Sequence, residues 1–143
     1  MLKYTKYNWI CLLDVDDKWL PYKLQNQIQY MENYDVVGTK CKYFGDLNIS
    51  PPIPLGDLKN YDFKLCNPII NSSCLLKKEL CNWNWNWNGI EDYDLWIALK
   101  NKGCKFYNLH SIEVLHRIHK SSAFNSKGNN LLVEKLLESY NCI

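Results

Sequence analysis

Residues 7–13 (YNWICLL) form a short, mostly apolar run that stops abruptly at an acidic cluster, DVDD, residues 14–17. An apolar run of this length, bounded by a polar turn, is typical of a strand buried on both faces. The chain is therefore predicted to begin with a buried strand that leads directly into an acidic turn.

The residues after the acidic cluster predict a helix and a second strand. In residues 19–33 a proline suits the first helical turn. Apolar residues then recur at helical spacing, at Leu24, Ile28 and Met31. Residues 34–39 (YDVVGT) predict a strand that can continue through residues 40–44. The order strand, helix, strand predicts an α/β fold.

The second half of the chain is more mixed. Residues 46–58 contain three prolines within four positions, which excludes a helix interior or a central strand and predicts a loop. The predicted elements beyond it are a strand at 73–77, a helix at 91–102 ended by Gly103, strands at 104–109 and 111–119, and a helix at 130–140. Because each half alone would be small, residues 1–143 are predicted to form a single domain.

Composition narrows the functional classes. A net charge of +2 with dispersed basic residues does not favour nucleic acid or an anionic membrane as a partner. The seven cysteines form no C-x-x-C pair and fall mostly in apolar runs, which predicts reduced, buried thiols. No apolar run has the length of a membrane span, and no signal peptide opens the chain. We expect a cytoplasmic protein.

The DVDD cluster is the first candidate site, because ligands of open α/β sheets gather at the carboxyl ends of strands. Three carboxylates within four residues repel one another unless a cation or hydrogen-bond donors compensate. Mg²⁺ or Mn²⁺, with further oxygen ligands from phosphates and water, would provide that compensation. The alternative is a solvated acidic turn whose aspartate caps the next helix.

Two further segments carry candidate residues. Glu91 and Asp92 occupy a first helical turn, where the helix dipole favours negative charge in any case, but one of them could instead face a cleft as a general base. In HRIH, strand alternation places Arg117 and His119 on one face and His116 on the other. An Arg and a His together suit phosphate oxygens or a metal, and the alternative is a solvent-exposed edge strand.

Four segments in this order resemble the family 2 glycosyltransferases of the GT-A fold, in particular small bacterial members that decorate polysaccharides. They are LLDVDDKWLPYKL, NPIINSSCLLKK, NGIEDYDLWIALKNKG and HRIHKSSAFN. The resemblance implies a partial GT-A fold of the nucleotide-diphospho-sugar transferase, Rossmann-like type, with a mixed sheet flanked by helices. It also implies a metal-dependent, inverting transfer of a sugar from a nucleotide-diphosphate donor to a glycan or other hydroxyl acceptor.

The resemblance also assigns roles to residues. Asp14 and Asp16 match the D-x-D motif, and with Arg117 they would bind the donor. Asp16 and His119 would contact a Mn²⁺ or Mg²⁺ ion at its diphosphate. Asp92 matches the catalytic base that deprotonates the acceptor hydroxyl, and Glu91 would orient the acceptor.

One departure from the family concerns the region before D-x-D. The nucleotide-binding strands that the family places there do not fit in the few residues before Asp14, so an N-terminally truncated domain is expected. It could need a partner chain for the missing half. The alternative function is a non-catalytic remnant that binds carbohydrate or another protein.

The run NWNWNWN, residues 82–88, precedes the predicted base. If the run were extended, its three indole rings would alternate with asparagines and project to one side. The rings could line an acceptor site, since flat apolar rings stack on sugar faces, or they could pack over the core. The rings belong to Trp83, Trp85 and Trp87.

Overall fold

The computed structural model describes residues 2–120 and 129–141. The strands are β1 Trp9–Cys11, β2 Lys18–Trp19, β3 Val36–Gly45, β4 Gly56–Asp57, β5 Leu75–Lys77 and β6 Phe106–Ile118. The helices are α1 Lys23–Ile28, α2 Glu91–Asn101 and α3 Asn129–Ser139. Short 3₁₀ turns occur at Leu2–Tyr4, Asn71–Ser73, Lys78–Leu80 and Trp85–Trp87. Residues 121–125 of the fourth family-like segment lie outside the described residues.

The strands form a mixed sheet with the order β1-β5-β3-β6-β2, and β4 also pairs with β6. Among the strands of residues 2–120, β3 and β6 are parallel and the other pairs are antiparallel. Val36 and Val37 are successive residues of β3, and they belong to two apolar clusters on opposite faces of the sheet. Both faces of the sheet are therefore covered, and helices lie on both sides. The predicted α/β architecture with a mixed sheet flanked by helices is therefore confirmed.

Strand β6 corrects one prediction, because a single long strand, Phe106–Ile118, replaces the two strands predicted at 104–109 and 111–119. The parallel pairing of β3 with β6 is interrupted near Thr39 and Lys40, where the register shifts between Leu109 and Ile112. Such a bulge leaves residues unpaired and bends the strand. The bulge explains why the apolar alternation breaks at this point in the sequence.

Strand β1 was predicted to be buried on both faces, and this is wrong. Its three residues are each only half-buried. It pairs with β5 alone among the described strands, so it lies at an edge of the sheet. An apolar sequence there reflects packing of single side chains, such as Ile10 against the main core and Trp9 against the opposite cluster.

The main core lies between the sheet and helix α2. Trp96 of α2 is fully buried, and its ring meets Phe106 of β6 edge-on at 6.4 Å. Phe63, from the segment between β4 and β5, contacts the same phenyl ring at 4.8 Å. Gly103 lies just after the C-terminus of α2 and has a φ of 82°, a left-handed conformation that favours glycine and ends the helix. This packing fixes the N-terminus of α2, which carries Glu91 and Asp92.

Helix α1 is shorter than predicted and buries a different face. Leu24 and Ile28 are 50% and 49% exposed, whereas Lys23 and Gln27 are buried. The Gln27 amide donates to Val37 O at 2.6 Å and to Ser73 O at 2.8 Å. Its Oε1 accepts from Lys23 Nζ at 2.8 Å. The helix is therefore held by a buried polar network, and burial lowers the pKa of Lys23.

Replacing Gln27 with Leu is expected to lower the free energy of unfolding by about 2–4 kcal/mol, because it leaves two carbonyls and an ammonium group without their partner. Urea unfolding followed by circular dichroism measures this loss. Leu24→Ala on the exposed face is the control, with an expected change within about 0.5 kcal/mol. Equal stability of the two variants would show that the network contributes nothing.

Two sequence predictions concern cysteines and membranes. Six cysteines lie in the described residues and all have free thiols: Cys11, Cys41, Cys66, Cys74, Cys81 and Cys104. Burial raises the pKa of Cys41 to about 12, which keeps this thiol protonated.

Within residues 2–120 and 129–141, no helix combines the length and apolar character needed to cross a bilayer.

Candidate active site

The DVDD turn follows β1 and lies against the 3₁₀ turn Asn71–Ser73. The amide of Asp17 donates to Asp14 O at 3.1 Å and closes the turn. The Asp14 amide donates to Ser72 Oγ at 2.9 Å, and Asn71 Nδ2 donates to Asp14 Oδ1 at 2.9 Å. These bonds fix the backbone and the side chain of Asp14 in one orientation.

Asp17 joins the same turn to the end of β6. Its carboxylate accepts from the Arg117 amide at 2.8 Å and meets His116 Nδ1 at 2.7 Å. The Asp17 side chain is fully buried. Burial alone would raise the pKa of Asp17, but the hydrogen bonds from His116 and Arg117 outweigh it and lower that pKa. Burial alone would lower the pKa of His116, and the bond to Asp17 raises it.

The structure brings together the predicted donor and metal residues Asp16, Arg117 and His119. His119 Nε2 lies 3.3 Å from Asp16 Oδ2. Arg117 Nε donates to Asp16 O at 3.3 Å, while its guanidinium stacks on Phe44 at 4.5 Å. Lys18 approaches the same ring at 5.4 Å, so β6, β3 and β2 gather basic groups that are dispersed in the sequence.

The carboxylate is a suitable donor for Mn²⁺ or Mg²⁺, each of which would take further oxygen ligands from phosphate and water. In the described part of the chain, no three His, Cys, Asp or Glu side chains are grouped so that they could hold a metal by themselves. The roles of Asp16 and His119 as metal ligands therefore remain predictions.

The three acids of EDYD have different surroundings. Glu91 accepts from the Gly89 amide at 2.5 Å, and Asp94 is buried and accepts from Tyr140 OH at 2.7 Å. The partly buried Asp92 accepts from Asn67 Nδ2 at 3.0 Å and from the Tyr93 amide at 2.8 Å. The structure thus gives each acid its own hydrogen-bond donor, and Glu91 bonds back to the turn before its helix.

Burial raises the pKa of Asp92 to about 6, against the opposing effect of its two hydrogen bonds. The negative charges of Glu91 and Asp14 add to the rise. The predicted base and the D-x-D turn are 78 positions apart in the sequence, yet one segment contacts both, since Asn67 donates to Asp92 and Asn71 donates to Asp14. A carboxylate with a pKa near 6 is suited to general base catalysis near neutral pH.

The sequence did not identify Asn67, Asn71 and Ser72 as site residues. Asn67 is positioned by its neighbour Pro68, whose carbonyl accepts from the buried Asn108 at 2.8 Å. The same Asn108 amide donates to Pro54 O at 2.7 Å and so holds the proline-rich loop. The only sequence signal was the family-like segment NPIINSS, which contains all three residues.

Comparisons with known proteins place these observations in context. No family model matches the chain. The Escherichia coli UDP-Glc:alpha-D-GlcNAc-diphosphoundecaprenol beta-1,3-glucosyltransferase WfaP is 29% identical over 139 residues, covering 92% of this chain and 54% of WfaP. The E. coli O-antigen biosynthesis glycosyltransferase WbnJ is 28% identical over 127 residues, and the match covers 82% of this chain and 50% of WbnJ. The chain therefore spans about half the length of these relatives.

The fold resembles a solved structure as well. The crystal structure of Staphylococcus aureus TarS residues 1–349 in complex with UDP matches with a TM-score of 0.59 and 13% identity. The match covers 95% of this chain and 42% of the TarS chain. The chain is therefore similar in sequence to bacterial glycosyltransferases over most of its length, and its fold is similar to that of TarS.

Proposed function

We propose that this chain carries the catalytic part of an inverting glycosyltransferase, which moves a sugar from a nucleotide-diphosphate donor to a hydroxyl group of a glycan acceptor. The observation that supports this most is Asp92. Its partly buried carboxylate has a pKa raised to about 6 and is held by Asn67, in the same segment whose Asn71 holds Asp14 of the D-x-D turn. The sequence relatives are consistent with this function.

Asp92 acts as the general base. Asn67 and the Tyr93 amide hold its carboxylate in place, so its position does not depend on the substrate. In the ionised form, Asp92 accepts the proton of the acceptor hydroxyl as that oxygen attacks the anomeric carbon. Attack from the side opposite the leaving diphosphate inverts the anomeric configuration.

The donor diphosphate lies beside Asp14, Asp16 and Arg117 in this proposal. Asp16 and His119 would hold a divalent cation, Mn²⁺ or Mg²⁺, and such an ion would supply positive charge for the leaving diphosphate. Asp14 is fixed by Asn71 and Ser72 and orients the nucleotide. The buried pair of Asp17 and His116 keeps the turn attached to β6, which keeps Asp16 next to His119.

UDP is the nucleotide that we expect, because WfaP is named for a UDP-glucose donor and TarS was crystallised with UDP. A hexose is accordingly the expected transferred sugar. The residues that would grip the base and ribose could come from another part of the protein or from a partner chain.

Calorimetric titration of the folded chain with UDP and GDP, in Mn²⁺ and in EDTA, tests the donor site. We expect UDP to bind only with Mn²⁺, and Asp16→Asn to weaken this binding by about tenfold or more because a metal ligand is lost. Asp57→Asn, at an exposed acid on β4, is the matched control and should bind like the unmodified chain. Equal UDP binding in EDTA would contradict the metal site, and no binding to a folded chain would contradict the proposal that it binds the donor unaided.

A further inference from the structure

The three tryptophans of NWNWNWN do not project to one side. Trp83 and Trp87 are partly buried and pack against the main core. Trp85 is 70% exposed. The repeat therefore consists of two anchoring rings and one displayed ring, and an indole this exposed is unusual in a folded chain.

Trp85 stands on a fixed turn, the 3₁₀ turn Trp85–Trp87. Asn84 caps this turn, since its Oδ1 accepts from the Asn86 amide at 3.2 Å and its carbonyl accepts from the Trp87 amide at 3.1 Å. The Trp87 carbonyl then accepts from the Ile90 amide at 2.9 Å. Gly89, with φ of 94°, turns the chain into α2, and Asp92 follows in its first turn. The ring is thus held at the entrance to the helix that carries the proposed base.

The surroundings of Trp85 indicate what it binds. Residues 82–90 contain no charged side chain, and the asparagines next to the ring, Asn84, Asn86 and Asn88, are exposed. Amide groups can donate to and accept from hydroxyl groups, and a rigid indole offers a large amphipathic contact surface at a low cost in conformational entropy. A neutral ligand with an apolar face and a rim of hydroxyl groups fits both features, and a pyranose ring has this chemistry. A phosphate or an acidic peptide would find no cation in this segment.

We propose that Trp85 is the stacking platform for a pyranose ring of the acceptor, with the amides of Asn86 and Asn88 beside it. This inference rests on the proposed function and extends it by making the acceptor a glycan of neutral sugars. Trp85 is a specificity-determining residue, since it contacts the acceptor sugar and leaves the reacting hydroxyl to Asp92.

Saturation-transfer NMR of the chain with a panel of free hexose and N-acetylhexosamine mono- and disaccharides tests this without a nucleotide sugar. We expect at least one saccharide to bind, and Trp85→Ala to weaken its binding by about tenfold. Trp85→Tyr keeps an aromatic ring, so its Kd for the same saccharide should stay within about threefold of that of the unmodified chain. Tyr22→Ala is the matched control, because Tyr22 is a comparably exposed aromatic residue on another part of the surface, and it should change nothing. The melting temperature of each variant should equal that of the unmodified chain.

Two outcomes would overturn the proposal: no saccharide of the panel binds, or Trp85→Ala binds as well as the unmodified chain. Where transfer is measurable, Trp85→Ala should raise the KM for the acceptor and leave kcat and the KM for the donor nearly unchanged. A loss of kcat alone would also overturn it. Binding of a saccharide without Mn²⁺-dependent binding of UDP would sustain the role of Trp85 and contradict the proposed donor site, so the two failures are distinguishable.

Discussion

Asp92→Asn is expected to lower the rate of sugar transfer by about 10²- to 10⁴-fold, the usual contribution of a positioned general base. The asparagine side chain has nearly the same shape, and its Oδ1 can still accept from the Tyr93 amide. Its Nδ2 replaces the oxygen that accepts from Asn67, so this hydrogen bond is lost together with the capacity to accept the acceptor proton. The measurement is transfer of a radiolabelled or fluorescent sugar under saturating donor and acceptor.

The same variant is expected to be more stable than the unmodified chain at pH 7. Burial raises the pKa of Asp92 to about 6, so the folded state disfavours the ionised carboxylate. The resulting destabilisation is absent below the ordinary pKa near 4 and develops as the pH rises towards 6. Asp92→Asn removes it, and we expect a gain on the order of 1–2 kcal/mol in urea unfolding at pH 7 that vanishes near pH 4.

The pH dependence of transfer gives a second test of the base. A carboxylate must be ionised to accept a proton, so kcat/KM should rise with pH through about 6 and then level off on this limb. Asp57→Asn, at an exposed acid on β4, is the control and should leave the rate and its pH dependence unchanged. Full activity of Asp92→Asn, or a rate that does not vary between pH 5 and 7, would show that another group is the base.

The sequence predicted the parts of the fold that depend on apolar patterning. The long strand β3 and the helix α2 lie where the apolar residues indicated, because both bury continuous or periodic apolar faces. Helix α1 was predicted with the wrong face buried, because the partners of Gln27 are carbonyls of Val37 and Ser73, far away in the sequence. A buried polar side chain cannot be recognised by periodicity, since its stabilisation depends on tertiary partners.

The residues of the candidate site also fall into those that the sequence predicted and those that it did not. The acidic residues were visible as motifs, and the structure links Asp14 and Asp92 to one segment through Asn71 and Asn67. The neutral residues that orient these acids were not visible as motifs, because asparagine and serine occur widely in loops and have no distinctive spacing. The strand alternation in HRIH did place His116 opposite Arg117, yet the pairing of His116 with Asp17 spans 99 positions and is set by the fold alone.

Asp17→Ala is expected to lower the free energy of unfolding by about 2–4 kcal/mol, the usual cost of leaving two hydrogen-bond donors without their acceptor. The Asp17 carboxylate is fully buried, and its removal leaves the Arg117 amide and His116 Nδ1 without their acceptor. Urea unfolding followed by circular dichroism measures the loss. Glu32→Ala, at an exposed acid, is the control and should stay within about 0.5 kcal/mol.

Asp17→Asn separates the charge of this residue from its shape. The amide oxygen can still accept from the Arg117 amide, so a smaller loss of about 1–3 kcal/mol is expected, from the missing charge beside His116. If Asp17 attaches the D-x-D turn to β6, this folded variant should also bind UDP more weakly in Mn²⁺, because Asp16 is no longer held next to His119. Unchanged stability of Asp17→Ala would exclude the anchoring role, and unchanged UDP binding by Asp17→Asn would show that the turn keeps its geometry without the charge. In that second case the contacts of Asp14 with Asn71 and Ser72 are sufficient to shape the donor site.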